Sequence, residues 1–123
     1  MKIVTRFAPS PTGYLHIGSL RTVLYNYLYT KQRDGKFMLR IEDTDRARLV
    51  EGSAENLQEV LASVGLIPDE GPNNPGEKGP YFQSERLPIY KEYIKKLIEN
   101  GSVYYCFCSS ERLDELRSEQ QDL

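Results

Sequence analysis

Within the first 43 residues, two short apolar runs bracket an amphipathic helix, and that order leaves few folds open. The run KIVTRF, residues 2–7, is rich in β-branched residues and is stopped by Pro9, which reads as a strand. Leu20, Val23, Leu24, Tyr27 and Leu28 then recur at i, i+3, i+4, i+7 and i+8, the apolar face of a helix over residues 17–31. RDGK follows as a turn, with Gly35 free to take a positive φ, and FMLRIED reads as a second buried strand. Strand, helix, strand in roughly 40 residues is a βαβ unit with a right-handed crossover, so the two strands are expected to be parallel. The predicted class is α/β.

Beyond this unit, Ala54, Leu57, Val60, Leu61 and Val64 mark a second helix, with Gly65 as its stop. PDEGPNNPGEKGP, residues 68–80, holds four prolines and three glycines and is expected to be an irregular surface segment. Ser84 has the character of a cap for a third helix, whose apolar face is Leu87, Tyr90, Ile94, Leu97 and Ile98 and which ends at Gly101. VYYCFC reads as a strand, and SSERLDELRSEQQ starts a fourth helix with little to bury.

Composition narrows the class. At 123 residues, 39% hydrophobic and 28% charged, the chain suits one soluble domain with a core. No apolar run approaches the roughly 20 residues that span a bilayer, and the polar start lacks a secretory signal, so a cytoplasmic place is expected. The pI of about 5.5 lacks the basic footprint of a dedicated nucleic-acid module, although an RNA site on one face stays open. Two cysteines one residue apart cannot form a disulfide framework and fit a reducing compartment.

PSPTGYLHIGSL, residues 9–20, carries two of the seven prolines, two of the nine glycines and the only histidine. A plain connecting loop is one reading. The other follows from position: a parallel βαβ unit binds ligands beyond the carboxyl ends of its strands. Arg6, the loop after the first strand and Glu42 all fall at that edge, and the loop delivers His16, Ile17 and Gly18 into the first turn of the helix. Helix N-termini attract anions, so Arg6, His16 and Glu42 are expected to converge on one crevice. The spacing is neither the dinucleotide fingerprint nor the Walker loop. From the residues alone, an anion or nucleotide site is as far as the reading goes.

The segments TRFAPSPTGYLHIGSLRTVLYNYL, LRIEDTD and DEGP…GPYFQSERLPIYKEYIKKLIENGSVYYCFCS resemble the N-terminal part of the glutamyl-tRNA synthetases, which are class I aminoacyl-tRNA synthetases. The resemblance runs through essentially the whole chain, in order. It implies the first half of a Rossmann-type nucleotide-binding catalytic domain over residues 1–102, and the start of an inserted acceptor-binding region over residues 103–123. It also implies a two-step reaction in which ATP activates L-glutamate to glutamyl-adenylate, and the glutamyl group passes to tRNA(Glu). Positioning and electrostatics do such chemistry without a protein nucleophile.

Residue roles follow from the same resemblance. His16, Gly18 and Ser19 occupy the His-Ile-Gly-His signature and are the implied catalytic positions, with Ser19 standing where the last histidine would be. Pro11, Thr12, Gly13, His16 and Gly18 are implied in ATP binding. Arg6, Phe7, Ala8, Pro9, Ser10 and Glu42 are implied in glutamate binding, Arg6 as a forked donor for a carboxylate and Glu42 as an acceptor for the ammonium group. Read alone, Arg6 is a strand-end salt bridge, Ser10 a turn residue and EDTD a solvated acidic turn. Asp43 and Asp45 are given structural roles, and Mg²⁺ is expected to arrive with ATP rather than on Glu42, Asp43 and Asp45.

Some relatives hold zinc with a Cys-x-Cys pair, which makes Cys106 and Cys108 half of a zinc site; as they stand, two buried free thiols are expected. Tyr90 is assigned to packing, while Tyr104 and Tyr105 are expected on opposite faces of a strand with one of them exposed. The second ATP loop and the tRNA-gripping helical domains of the family have no counterpart in these residues, so the chain is expected to be a monomeric fragment of low activity. Two other readings are a paralogue that glutamylates a modified base in tRNA(Asp), and a non-catalytic glutamate or nucleotide module. EDTD and the long DEGP…GPYFQSERL insertion favour the ligase over the paralogue.

Overall fold

A computed structural model describes residues 2–121, and the chain divides into two compact units, Met1–Pro88 and Ile89–Leu123. In the first, β1 (Val4–Phe7) and β2 (Lys36–Leu39) are joined through α1 (Ile17–Lys31) and pair in parallel, with Val4 opposite Lys36 and Phe7 opposite Leu39. The expected βαβ unit is therefore present, and α1 has the predicted bounds.

Its buried stripe is narrower than predicted. Val23 and Thr30 are buried and Leu20 and Tyr27 pack on the core, while Leu24 and Leu28 face outward at 39% and 54% exposure. Two strands offer too little sheet to cover the whole apolar face of a four-turn helix. Thr30 is tolerated inside because its hydroxyl donates to the Asn26 carbonyl at 2.7 Å.

The turn before β2 also differs. The positive φ belongs to Asp34, at 49°, and Gly35 has another task. A Cβ there would stand 2.5 Å from the Ile3 carbonyl oxygen and 2.9 Å from Thr30 Cγ2, so glycine is needed for close approach.

α2 (Ser53–Ser63) buries Ser53, Leu57 and Leu61 and ends ahead of Gly65, whose φ of 74° suits the residue past a helix end. Phe7, Val23, Phe37, Leu39, Ile41, Leu57, Leu61 and Leu66 form one core. Each such side chain contributes roughly 1.5–3 kcal/mol when fully buried. Tyr27 meets Phe37 edge to face at 5.7 Å.

Residues 68–80 are irregular as expected, but only partly superficial. Glu70 and Gly71 are buried because the segment lies along β2, with an isolated parallel bridge from Met38 to Glu70; beyond both, a second bridge joins Ile41 to Phe82. Buried Glu70 gathers donors: Lys36 Nζ at 2.6 Å, Tyr81 OH at 2.7 Å and the Lys78 backbone N–H at 3.2 Å. Ser84 does not cap the third helix. It lies inside a 3-10 turn at Gln83–Arg86, and its backbone N–H and hydroxyl both donate to Asp43, at 2.8 and 2.6 Å. α3 (Leu87–Glu99) begins behind that turn, with Pro88 in its first turn, where a missing N–H costs nothing.

In the second unit α3 buries none of its residues, and α4 spans Ser110–Gln121. VYYCFC is not a strand: residues 103–109 have no strand pairing among the described residues, and an extended run without a partner makes no ladder. Tyr104 and Tyr105 are both exposed, at 88% and 71%, and Tyr105 stacks on Phe107. Cys106 and Cys108 are exposed rather than buried, since no sheet forms to cover them.

Candidate active site

The loop after β1 is extended and pinned. Phe7 O accepts the Arg40 backbone N–H at 3.0 Å and Pro9 O accepts that of Glu42 at 2.8 Å. Pro11 O accepts from both the Val50 N–H, at 3.0 Å, and the Ser53 hydroxyl, at 2.9 Å. The loop thus presents alternate carbonyls to the segment after β2. Proline lacks a donor but keeps its acceptor, so Pro9 and Pro11 lose nothing by standing at those rungs.

The chain then turns into α1 through His16, its extended N-cap, with φ −105° and ψ 164°. The imidazole takes the place usually held by a Ser or Asp side chain: Nδ1 accepts the Gly18 backbone N–H at 3.1 Å. Ser19 Oγ lies 3.4 Å from Nε2. A Cβ at residue 18 would come within 2.8 Å of His16 Cε1, which is why glycine is needed beneath the ring.

Pro9, Ser10, Thr12, Gly13, His16 and Ser19, with Tyr14, Leu15 and Leu57, line a cavity of about 270 Å³. That lies just below the roughly 300–1,000 Å³ of pockets that enclose a small ligand. It suits part of a ligand whose remainder extends outward. A smaller apolar cavity between the end of α2 and residues 71–74 is lined without a charged side chain.

The predicted residues divide. His16, Ser19, Pro9, Ser10, Thr12 and Gly13 share that cavity. Gly18 acts behind the imidazole, and Pro11 is buried behind the loop. Phe7 belongs to the core, so only its backbone faces the edge. Arg6 is exposed on β1 and makes no ion pair among the described residues. Glu42 is tied to the loop through its backbone, and its carboxylate is one-third exposed. No hydrogen bond or ion pair joins Arg6, His16 and Glu42; what they have in common is the carboxyl end of the parallel pair.

The acidic turn works as a brace. Burial opposes ionisation of Asp43, but the Ser84 hydrogen bonds outweigh it and hold the carboxyl below its ordinary range. The Arg48 side chain likewise holds Asp45 low. No group of three or more His, Cys, Asp or Glu side chains close enough to hold a metal ion occurs among the described residues. Cys106 and Cys108 supply two thiols where zinc needs four ligands, so they do not make a zinc site by themselves. The thiol of Cys106 pushes Cys108 upward from the ordinary thiol range.

Two contributors escape sequence reading. Arg40 sits just past β2 with its Nε buried and without a hydrogen-bond partner among the described residues, and its Nη2 4.0 Å from the Glu42 carboxylate. Ser53 lies at the start of a helix, a position that suggests a cap, yet its hydroxyl turns back to hold the loop.

The family model for tRNA synthetases class I (E and Q), catalytic domain, matches residues 2–123. The chain is 58% identical to a glutamate–tRNA ligase of Chloroherpeton thalassium over 96% of its own length, and 59% identical to one of Clostridium botulinum over 99%. It spans about a quarter of the length of these curated relatives: 24% and 25%. Among solved structures it is similar to a glutamate–tRNA ligase of Elizabethkingia meningosepticum in complex with its amino acid, with TM-score 0.86 and 47% identity over 97% of this chain and 24% of that one. The glutamate–tRNA synthetase of Elizabethkingia anophelis gives TM-score 0.87 at the same identity. No described helix is long and apolar enough to cross a membrane. With its parallel βαβ unit, pinned proline loop and histidine-capped helix, this chain belongs to the class I tRNA synthetase catalytic-domain family of the E and Q enzymes.

Proposed function

We propose that the chain is the first part of the catalytic domain of a glutamate–tRNA ligase and carries its amino-acid and α-phosphate subsites. In the first step the α-carboxylate of glutamate attacks the α-phosphate of ATP; the P–O bond to the β-phosphate breaks and pyrophosphate leaves. In the second, a hydroxyl of the terminal adenosine of tRNA(Glu) attacks the activated carbonyl and AMP departs. Mg²⁺ arrives with ATP and neutralises the leaving pyrophosphate. Residues 1–102 belong to the catalytic domain and 103–123 open the acceptor-binding insertion, in a cytoplasmic, monomeric enzyme.

The observation that carries this reading is the seating of His16 at the N-cap of α1, with Ser19 beside it and the pinned loop in front. The Ser19 hydroxyl and the N–H groups of the first turn of α1 are donors of the kind that stabilise charge building on a phosphate, which supports the reading. Arg6, which makes no ion pair among the described residues, is available to the side-chain carboxylate of glutamate. Glu42 takes the ammonium group, the Ala8 backbone and the Ser10 hydroxyl bind the amino acid, and Pro11, Thr12 and Gly13 border the nucleotide. The names of the relatives favour tRNA(Glu) over the modified base of tRNA(Asp).

Calorimetric titration with a non-hydrolysable glutamyl-adenylate analogue, and with its glutaminyl counterpart, tests the proposal. Preference for the glutamyl form is the expected result. Equal binding of both, or of neither to a chain that melts cooperatively, overturns the assignment of these subsites to this part of the protein.

A further inference from the structure

The backbone N–H of Gly18 can only donate, so the Nδ1 it meets at 3.1 Å is the accepting nitrogen of His16. On a neutral imidazole the proton then resides on Nε2. We propose that Gly18 and Ser19 are positioning residues that hold the His16 imidazole as its Nε2–H tautomer, with that proton directed to Ser19 Oγ at the cavity. Gly18 has two parts in this. Its N–H selects the tautomer, and its missing Cβ, which would stand 2.8 Å from Cε1 and 3.1 Å from Nδ1, leaves room for the ring to lie back over the helix end.

Ser19 completes the arrangement from the other side of the ring. With the proton on Nε2, Ser19 Oγ at 3.4 Å is the acceptor, and its own hydroxyl proton is left to donate elsewhere. Both residues line the same cavity. With the Nε2–H directed to Ser19 Oγ, the pair presents the Ser19 O–H as its outward donor. What that donor contacts rests on the phosphate reading above; the tautomer does not.

His16 is the only histidine in the chain, so its ring nitrogens can be read without assignment ambiguity. The test is a long-range proton–nitrogen correlation spectrum of the nitrogen-labelled protein at about pH 8.5, roughly two units above the ordinary histidine value. The free peptide of residues 15–19 serves as reference. The expected result is an unprotonated Nδ1 and a protonated Nε2, with the ratio of the two tautomers about fivefold further toward Nε2–H than in the peptide, as one hydrogen bond of ordinary net strength gives. A scalar coupling across the hydrogen bond between the Gly18 nitrogen and Nδ1 is expected in the unaltered protein. Gly18→Ala returns the ratio to that of the peptide, and Ser19→Ala keeps the tautomer but speeds exchange of the Nε2 proton with water.

A ratio equal to the peptide's in the unaltered protein, or a proton on Nδ1, overturns the proposal whether or not Gly18→Ala folds. An unchanged exchange rate in Ser19→Ala overturns the part given to Ser19. Adding ATP separates the two readings. An Nε2 resonance that ATP leaves unmoved, with the tautomer as stated, removes the phosphate role and leaves the positioning role standing.

Discussion

The backbone N–H of Glu42 donates to the carbonyl of Pro9 at 2.8 Å, and this bond makes the proline loop and the acidic turn two sides of one ladder. The rung before it joins Arg40 to Phe7. The parallel pairing of β1 and β2 is thereby carried beyond the strands themselves, into the residues that border the cavity. A loop held this way keeps its geometry in the absence of ligand, which is what a positioning site needs.

Ser53 is the anchor whose removal should loosen that loop. Its buried hydroxyl shares its single proton between Pro11 O at 2.9 Å and Val50 O at 2.7 Å. Ser53→Ala leaves part of the acceptor capacity of two carbonyls unmet and should cost about 1–2 kcal/mol, read as a lower urea midpoint at unchanged slope. Ser53→Cys, with a weaker donor of similar shape, should fall between the two.

Acid should unfasten residues 68–80 from β2. The Lys36 hydrogen bond, then that of Tyr81, hold the Glu70 carboxyl below its ordinary range against the opposing effect of burial. A carboxylate whose folded value is depressed adds stability that is fully present above its unfolded value and is lost as pH falls through the folded value. Urea midpoints should therefore drop on the acid side of the ordinary carboxylate range. Glu70→Gln should lower the midpoint near neutral pH and flatten that acid dependence. Asp43, Asp45 and Asp69 are depressed too, so part of the slope should survive.

Both thiols should react in the native state, because both are exposed. Cys108 is pushed upward by its neighbour, which leaves less of it as thiolate near neutrality. Alkylation at limiting reagent, followed by peptide mapping, should therefore find Cys106 modified first. Cys106→Ser should speed reaction at Cys108.

How much of this was legible beforehand follows from what each signal depends on. The extent of α1 and the glycine ending α2 are local, and both read true, while the width of the buried stripe on α1 depends on how much sheet lies beneath it. VYYCFC has strand propensity, but a strand needs a neighbour that propensity cannot provide. Ser84 looks like a cap from its surroundings in sequence, yet it answers to Asp43, 41 residues away. Gly35 marks a turn correctly but for a different reason, since the approach of Ile3 is a tertiary fact. In the site, the loop residues that line the cavity fall in one short stretch, residues 9–19. The anchoring by Ser53 and the buried Nε of Arg40 were not legible, because both depend on which segments the ladder brings together.

Arg6 gives a prediction in which binding and stability should part. Its side chain is exposed and unpaired among the described residues, so the fold asks little of it, and Arg6→Ala should change stability by no more than about 0.5 kcal/mol. A charge-assisted pair with the ligand carboxylate contributes roughly 1.5–3 kcal/mol, so the same change should weaken binding of the glutamyl-adenylate analogue about ten- to hundredfold. The glutaminyl analogue lacks that carboxylate and should be little affected, which brings the two affinities together. Arg6→Lys keeps the charge but loses the fork, and should recover only part of the preference. If Arg6→Ala lowered both affinities equally at unchanged melting temperature, the guanidinium would be acting on a group the two ligands share, and the discrimination would have to come from elsewhere in the site.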